Sequence, residues 1–166
     1  WRTLPLTIEL LLNFRQAASN KGEDEKIIDF INSTNDEFLI KARTAANFTR
    51  FDYWNASGTI SSCQSDGGYD IDKWYQIVAT INLTGGQKYY IQGIKQACSG
   101  QVNGIKGVSL GALNIGAYSD VSSRFNGTMD MVKISNTEKS AAEINISYTN
   151  LFKYSTMINM GTEESQ

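Results

Sequence analysis

Between Trp74 and Ile144 the chain carries WYQIVATI (74–81), KYYIQG (88–93), VSLGALNIG (108–116), RFNGTMDMVKIS (124–135) and KSAAEI (139–144). Apolar, β-branched and aromatic residues fill the short runs, and glycine-centred turns punctuate them. Such a rhythm predicts short antiparallel strands stacked as a β-sandwich. No catalytic signature interrupts the stretch. The question of function therefore moves away from chemistry and toward holding, binding or building at a cell surface.

Working outward, Leu6, Ile8, Leu10, Leu12 and Phe14 alternate with Thr7, Glu9, Leu11, Asn13 and Arg15. A period of two places the first set toward a core and the second outward. Ser19–Lys26 reads as a solvated acidic loop. KIIDFIN (26–32) and EFLIKAR (37–43) read as strands separated by the turn-forming STND (33–36). NFTRFDYWN (47–55) carries aromatics on both faces. Gln64–Asp72 and Ala97–Gly107 read as loops, and Gly85-Gly86 as the turn of a hairpin. Apolar parity changes within RFNGTMDMVKIS, which predicts a bulge near Asp130 and Met131. SAAEI predicts one helical turn with Ser140 as N-cap and Glu143 completing a capping box.

The 166 residues suffice for one domain with a real core. A net charge of -2 argues against a nucleic-acid surface, which needs clustered Lys and Arg. The longest apolar run, LPLTIELLLNF, is interrupted by Glu9 and falls short of the roughly 18–20 residues that span a bilayer. The chain begins at Trp1 and not at Met, which reads as a processed polypeptide. Histidine is absent, which removes His-based acid–base catalysis, serine and cysteine triads, and His-ligated zinc. Cys63 and Cys98 stand in segments that read as loops. They either form one disulfide in an oxidising compartment or remain two free thiols.

Taken in order, Trp74-x-x-Ile77-Val78-Ala79, Tyr90-Ile91-x-Gly93, Leu113-x-Ile115-Gly116, Phe125-x-Gly127-x-Met129-Asp130-x-Val132-x-Ile134 and Ser140-x-x-Glu143-Ile144 resemble the laminin-G-like, concanavalin A-like jelly rolls. TIELLLNF, KIIDF and FLIKAR resemble that family's early strands, so the likeness spans residues 4–148. It implies an all-β, two-sheet antiparallel jelly-roll sandwich over residues 1–148, with 149–166 as a C-terminal extension. Three departures stand out. Gln92 replaces the family's usual Asp or Asn, Lys139 replaces the usual Leu, and only WRTLP precedes the first strand. A sandwich short of a strand leaves an unpaired edge. The tail, through Leu151, Phe152, Tyr154, Met157, Ile158 and Met160, either returns to its own sheet as a strand or is donated to a neighbouring subunit. The N-terminal strand is the other candidate for donation.

Glycosidases on this fold carry carboxylates spaced Glu-x-Asp-x-x-Glu on one strand, and that spacing is missing here. Asp66, Asp70, Asp72 and Asp120 are loop carboxylates of the type that hold Ca²⁺, with a solvated turn as the plainer reading. Asn-x-Ser/Thr occurs at Asn32, Asn47, Asn55, Asn82, Asn126 and Asn145, against about two or three expected by chance. This excess points to a secreted protein bearing N-linked glycans, with Asn55 and Asn82 the most exposed sites and Asn126 the least favourable. Two functions from different classes follow. One is a glycosylated, self-assembling structural subunit of the cell surface, pairing into oligomers or filaments through edge strands. The other is a carbohydrate-binding, adhesive module using Tyr53, Trp54, Tyr69 and Tyr118 to stack on sugar rings. Neither requires a cofactor, an enzymatic activity, nucleic acid or a membrane span.

Overall fold

A computed structural model of the chain describes residues 4–20, 22–31, 37–44, 46–54, 60–84, 86–99, 111–117 and 123–153. Eleven strands are present among them: β1 (Leu6–Phe14), β2 (Glu25–Ile31), β3 (Glu37–Ala42), β4 (Thr49–Trp54), β5 (Ile60–Gln64), β6 (Trp74–Asn82), β7 (Gly86–Ile91), β8 (Ile94–Lys95), β9 (Ala97–Ser99), β10 (Ala112–Ile115) and β11 (Gly127–Ser135). One helix, α1 (Ala141–Phe152), follows them. The strands form two antiparallel sheets, ordered β11-β1-β6-β7-β8 and β10-β2-β3-β4-β5-β9. The all-β jelly-roll reading holds.

Alternation in β1 works as its spacing predicts. Leu6, Ile8, Leu10, Leu12 and Phe14 are fully buried and meet Ile28, Phe30, Phe38, Ile40 and Phe51 of the opposing sheet. Both neighbours of β1 are strands of the same chain, β11 and β6. The place expected to lack a partner is therefore filled, and among the described residues the open borders are β11, β8, β10 and β9. The predicted bulge lies in β11, where Lys133 pairs with Glu9 but Asp130 pairs with Leu11. Met131 absorbs the extra residue at φ 52°.

Cys63 and Cys98 lie in strands and not in loops. They stand opposite each other on β5 and β9 and form a disulfide. Their 35-residue separation gives about 3–4 kcal/mol of stabilisation in the chain-entropy picture. The crosslink also fastens three-residue β9 to the sheet border.

α1 is longer than the single turn that SAAEI suggests. Its capping box forms as read: Glu143 N–H donates to the Ser140 hydroxyl, and the Ser140 N–H donates to the Glu143 carboxylate at 2.7 Å. Leu151 and Phe152 continue the helix and do not begin a strand, because twelve residues without Gly or Pro extend it. The 148/149 boundary thus falls inside α1, and the remaining tail residues (154–166) lie outside the described residues.

α1 crosses the outer face of the five-stranded sheet. Ile144 packs on Val78 and Tyr90. Beneath the helix, Glu9 is 1% exposed although it faces away from the main core. Its carboxylate accepts hydrogen bonds from Gln76 Nε2 at 2.9 Å, from the Ser147 hydroxyl, and from Lys139 Nζ at 2.5 Å. Burial alone would raise this carboxyl, but those three partners outweigh it and hold it below the usual 4.5. Lys139, a departure from the family pattern, is thus matched by Glu9.

Candidate cleft at one end of the sandwich

Residues 65–73 connect β5 to β6 across one end of the molecule. Their path is set by backbone bonds: Tyr69 N–H donates to Asn47 O at 3.0 Å and Asp72 N–H to Phe14 O at 2.7 Å. Gly68 is required there, since a Cβ would meet Ala46 O at 2.6 Å. The loop faces the β7–β8 hairpin, and between them lies a cleft of about 260 Å³. Its floor is apolar, made by Phe14, Tyr75, Ile77 and Ile91. Its rim is polar, with Ser65, Asp66, Gln92 and Gln96. An apolar floor under a few placed polar groups is the usual form of a small-ligand site.

Several rim groups are already positioned. Gln96 is 7% exposed; its Oε1 accepts from Asp66 N–H at 2.7 Å and its Nε2 donates to Ile94 O at 2.9 Å. The Tyr75 hydroxyl accepts from Asp70 N–H at 2.9 Å, which fixes the ring in the cleft floor. Gln92 stands at the hairpin turn with φ 51°, followed by Gly93 at φ 78°. A turn with two left-handed residues favours Asn-Gly or Asp-Gly, and glutamine there is strained. Strain at a rim residue is an observation that points toward function. Outside the cleft, Ile71 on the same connection and Trp74 at the start of β6 are 51% and 38% exposed, and Trp74 pairs with Asn13 of β1.

The aromatics expected to stack on sugars are placed differently. Tyr69 is 6% exposed, stacks on Phe14 with ring centres 3.8 Å apart, and accepts a hydrogen bond from Ala18 N–H. Burial pushes its phenol up to about 12. It lines the cleft as part of the floor. Tyr53 is 6% exposed and stacks on Phe38 within the core, so its ring is not available to a sugar. Trp54 is half-buried at the end of β4. Tyr118 and Asp120 lie outside the described residues. Tyr75 and Gln92 line the cleft and are the groups that reasoning from sequence missed. Only Gln92 carried a signal, its departure from the family turn.

Asp66, Asp70 and Asp72 are exposed along one loop, and Asp70 pairs with Lys73 at 2.8 Å. No group of three metal-binding side chains occurs among the described residues. On the outer face of the six-stranded sheet, Asp52 is buried and organises a polar network. Arg50 Nε and the Ser62 hydroxyl donate to its Oδ1 at 2.9 and 2.5 Å, and Lys41 Nζ lies 3.2 Å from Oδ2. Glu37 on this face is raised by its burial and by the neighbouring Asp29 carboxylate, which accepts from Asn114 Nδ2 at 3.1 Å.

Of the glycosylation signals, Asn126 and Asn145 are exposed, while Asn47 and Asn82 are half-buried. Asn82 Nδ2 donates to Glu138 at 2.5 Å. Its side chain is thus less open, and that of Asn126 more open, than their sequence contexts suggest. Asn32 and Asn55 lie outside the described residues.

A two-sheet antiparallel sandwich with loops and a cleft at one end defines a lectin-like jelly roll. The chain belongs to the Laminin_G_3 family of the concanavalin A-like lectin/glucanases superfamily, which it matches over residues 3–145. Among curated proteins, none matches it by sequence. Similar solved structures include the botulinum neurotoxin serotype D binding domain, at 17% identity and TM-score 0.67, covering 91% of this chain and 37% of that one. They also include the native heptameric SAP-like pentraxin from Limulus polyphemus, at 12% identity and TM-score 0.65, covering 87% and 71%. The receptor binding domain of botulinum neurotoxin type G matches at 14% identity and TM-score 0.65, covering 89% and 38%. At such identities the likeness is one of fold. The chain spans little more than a third of the neurotoxin domains it matches. No described helix is long and apolar enough to cross a membrane.

Proposed function

We propose that this domain is a non-enzymatic, extracellular recognition module that binds carbohydrate in the cleft between the 65–73 loop and the β7–β8 hairpin. The observation that carries the reading is the strained Gln92 on a cleft that the Tyr75 ring also lines. A sugar ring has an apolar face suited to stacking on Tyr75 and hydroxyls suited to the Gln92 and Gln96 amides. Membership of a lectin-containing superfamily and the fold shared with a neurotoxin receptor binding domain support this class of function. In this reading the disulfide fits an oxidising, secreted setting. N-linked glycans sit at exposed Asn126 and Asn145, and no metal is needed.

Gln92→Asn separates function from fold. Asparagine tolerates the left-handed turn, so stability should rise by up to about 1 kcal/mol. The shorter amide retreats from the cleft, so affinity for an array-identified glycan should fall about tenfold. Isothermal titration beside thermal melting reads both. Unchanged affinity, or lower stability, contradicts the assignment.

A second reading, self-association as a surface or filament subunit, is favoured by one observation. β11 is nine residues long and, among the described residues, paired on one side only. Long open edges invite strand addition.

A further inference from the structure

We infer that β11 is the edge through which two copies of this chain pair, antiparallel, about a two-fold axis between Met131 and Val132. The inference rests on the self-association reading and narrows it to one strand, one register and a closed pair. Length selects the strand. The other open borders, β8, β9 and β10, have two, three and four residues, whereas β11 has nine.

The bulge selects the register. Pairing with β1 places Thr128, Asp130, Lys133 and Ser135 on the outer face, opposite Asn13, Leu11, Glu9 and Thr7. Met129 and Ile134, opposite Leu12 and Ile8, face inward. In a regular strand, outer residues share one parity, and self-pairing keeps faces aligned only when paired residue numbers sum to an even value. The bulge at Met131 reverses parity between Asp130 and Lys133. An odd sum then aligns both faces on either side of the axis. With that register Thr128 faces Ser135 of the second copy, Met129 faces Ile134, and Asp130 faces Lys133.

These pairs are complementary. Polar meets polar on the outer face, apolar meets apolar on the inner face, and two opposite-charge pairs form across the axis. Asp130 and Lys133 are both exposed in the single chain. A bulge and a lysine ordinarily discourage strand addition. Here the lysine meets an aspartate in the one register the bulge permits, so both devices discriminate against other partners and registers. An isologous contact closes on itself and yields dimers, not fibres.

Sedimentation equilibrium of the purified full chain tests this. The expected mass is twice the 18.4 kDa of one chain. Asp130→Lys and Lys133→Asp should each weaken the dimer about tenfold by placing like charges opposite. An equimolar mixture of the two variants should recover the dimer, because each then supplies the charge the other lacks. Recovery also shows that both variants are folded. Wild type that stays monomeric at concentrations near 100 μM overturns the proposal. A dimer indifferent to both substitutions, or a ladder of higher species, leaves self-association standing but overturns this edge and its closure. Glycan binding by the cleft should be equal in all variants, so failure here is distinct from failure of the recognition reading.

Discussion

Phe14→Ala should lower the free energy of unfolding by about 3–5 kcal/mol, the range for emptying a large aromatic site in a core. Phe14 is fully buried and touches three rings: Tyr69 at 3.8 Å, Tyr75 at 6.0 Å and Phe125 at 5.4 Å between centres. These come from the loop, β6 and the approach to β11, so one side chain ties the cleft floor to three segments. Collapse into the vacated space is limited because each neighbour is also held by a polar bond or strand ladder. Tyr69 in particular is held through its hydroxyl to Ala18 N–H. Urea denaturation is the direct measurement. A loss below about 1 kcal/mol would mean the ring cluster does not close this end of the sandwich. Phe14→Leu should cost less, because it keeps most of the buried volume.

Glu9→Ala should cost about 3 kcal/mol, at the low end for breaking a buried charge pair. Lys139 keeps 29% side-chain exposure and can turn toward water, which limits the loss. Gln76 and Ser147 lose their acceptor, and α1 loses its polar anchor to β1. The same pair imposes a pH dependence. Glu9 is held below its ordinary 4.5 when folded, so its contribution is present above that value and disappears as pH falls through the lower one. Glu138, paired with Lys88 and Asn82, and Asp24, beside Lys41 and Thr44, act in the same direction. Glu37, raised by burial, acts oppositely: its contribution is present at acid pH and is lost as pH climbs through its raised value. Glu143, held low by its bonds to Ser140, adds a fourth such group against one, so stability should decline below about pH 4.5, and Glu9→Gln should flatten that decline. Thermal melts from pH 3 to 7 check it. An unaltered acid slope in Glu9→Gln contradicts the anchor.

Residues whose fate depends on periodicity were legible in the sequence. The β1 alternation, the β11 bulge and the Ser140 capping box all follow from local spacing. Whatever depends on a third layer was not. Glu9 points outward by parity, and only α1 lying over it turns an exposed acid into a buried one. Glu25 reads as part of a solvated acidic loop but is fully buried in β2, where it accepts from Asn126 N–H. Cys63 and Cys98 sit in polar surroundings that read as loops, because a short border strand held by its disulfide needs few apolar residues. Tyr53 could not be separated from Tyr69 and Tyr75 by composition, since each is an aromatic beside polar neighbours. Which ring faces the cleft depends on loop geometry spread over residues 65–96.

The measurement that bears most directly on recognition at the sandwich end is a backbone-amide NMR titration of the full chain with a glycan drawn from an array screen. The cleft predicts shifts confined to Asp66–Tyr69, Tyr75 and Gln92–Gln96, diminished in Gln92→Asn. No array binder, or shifts that map to the outer face of the six-stranded sheet and spare these residues, would contradict it.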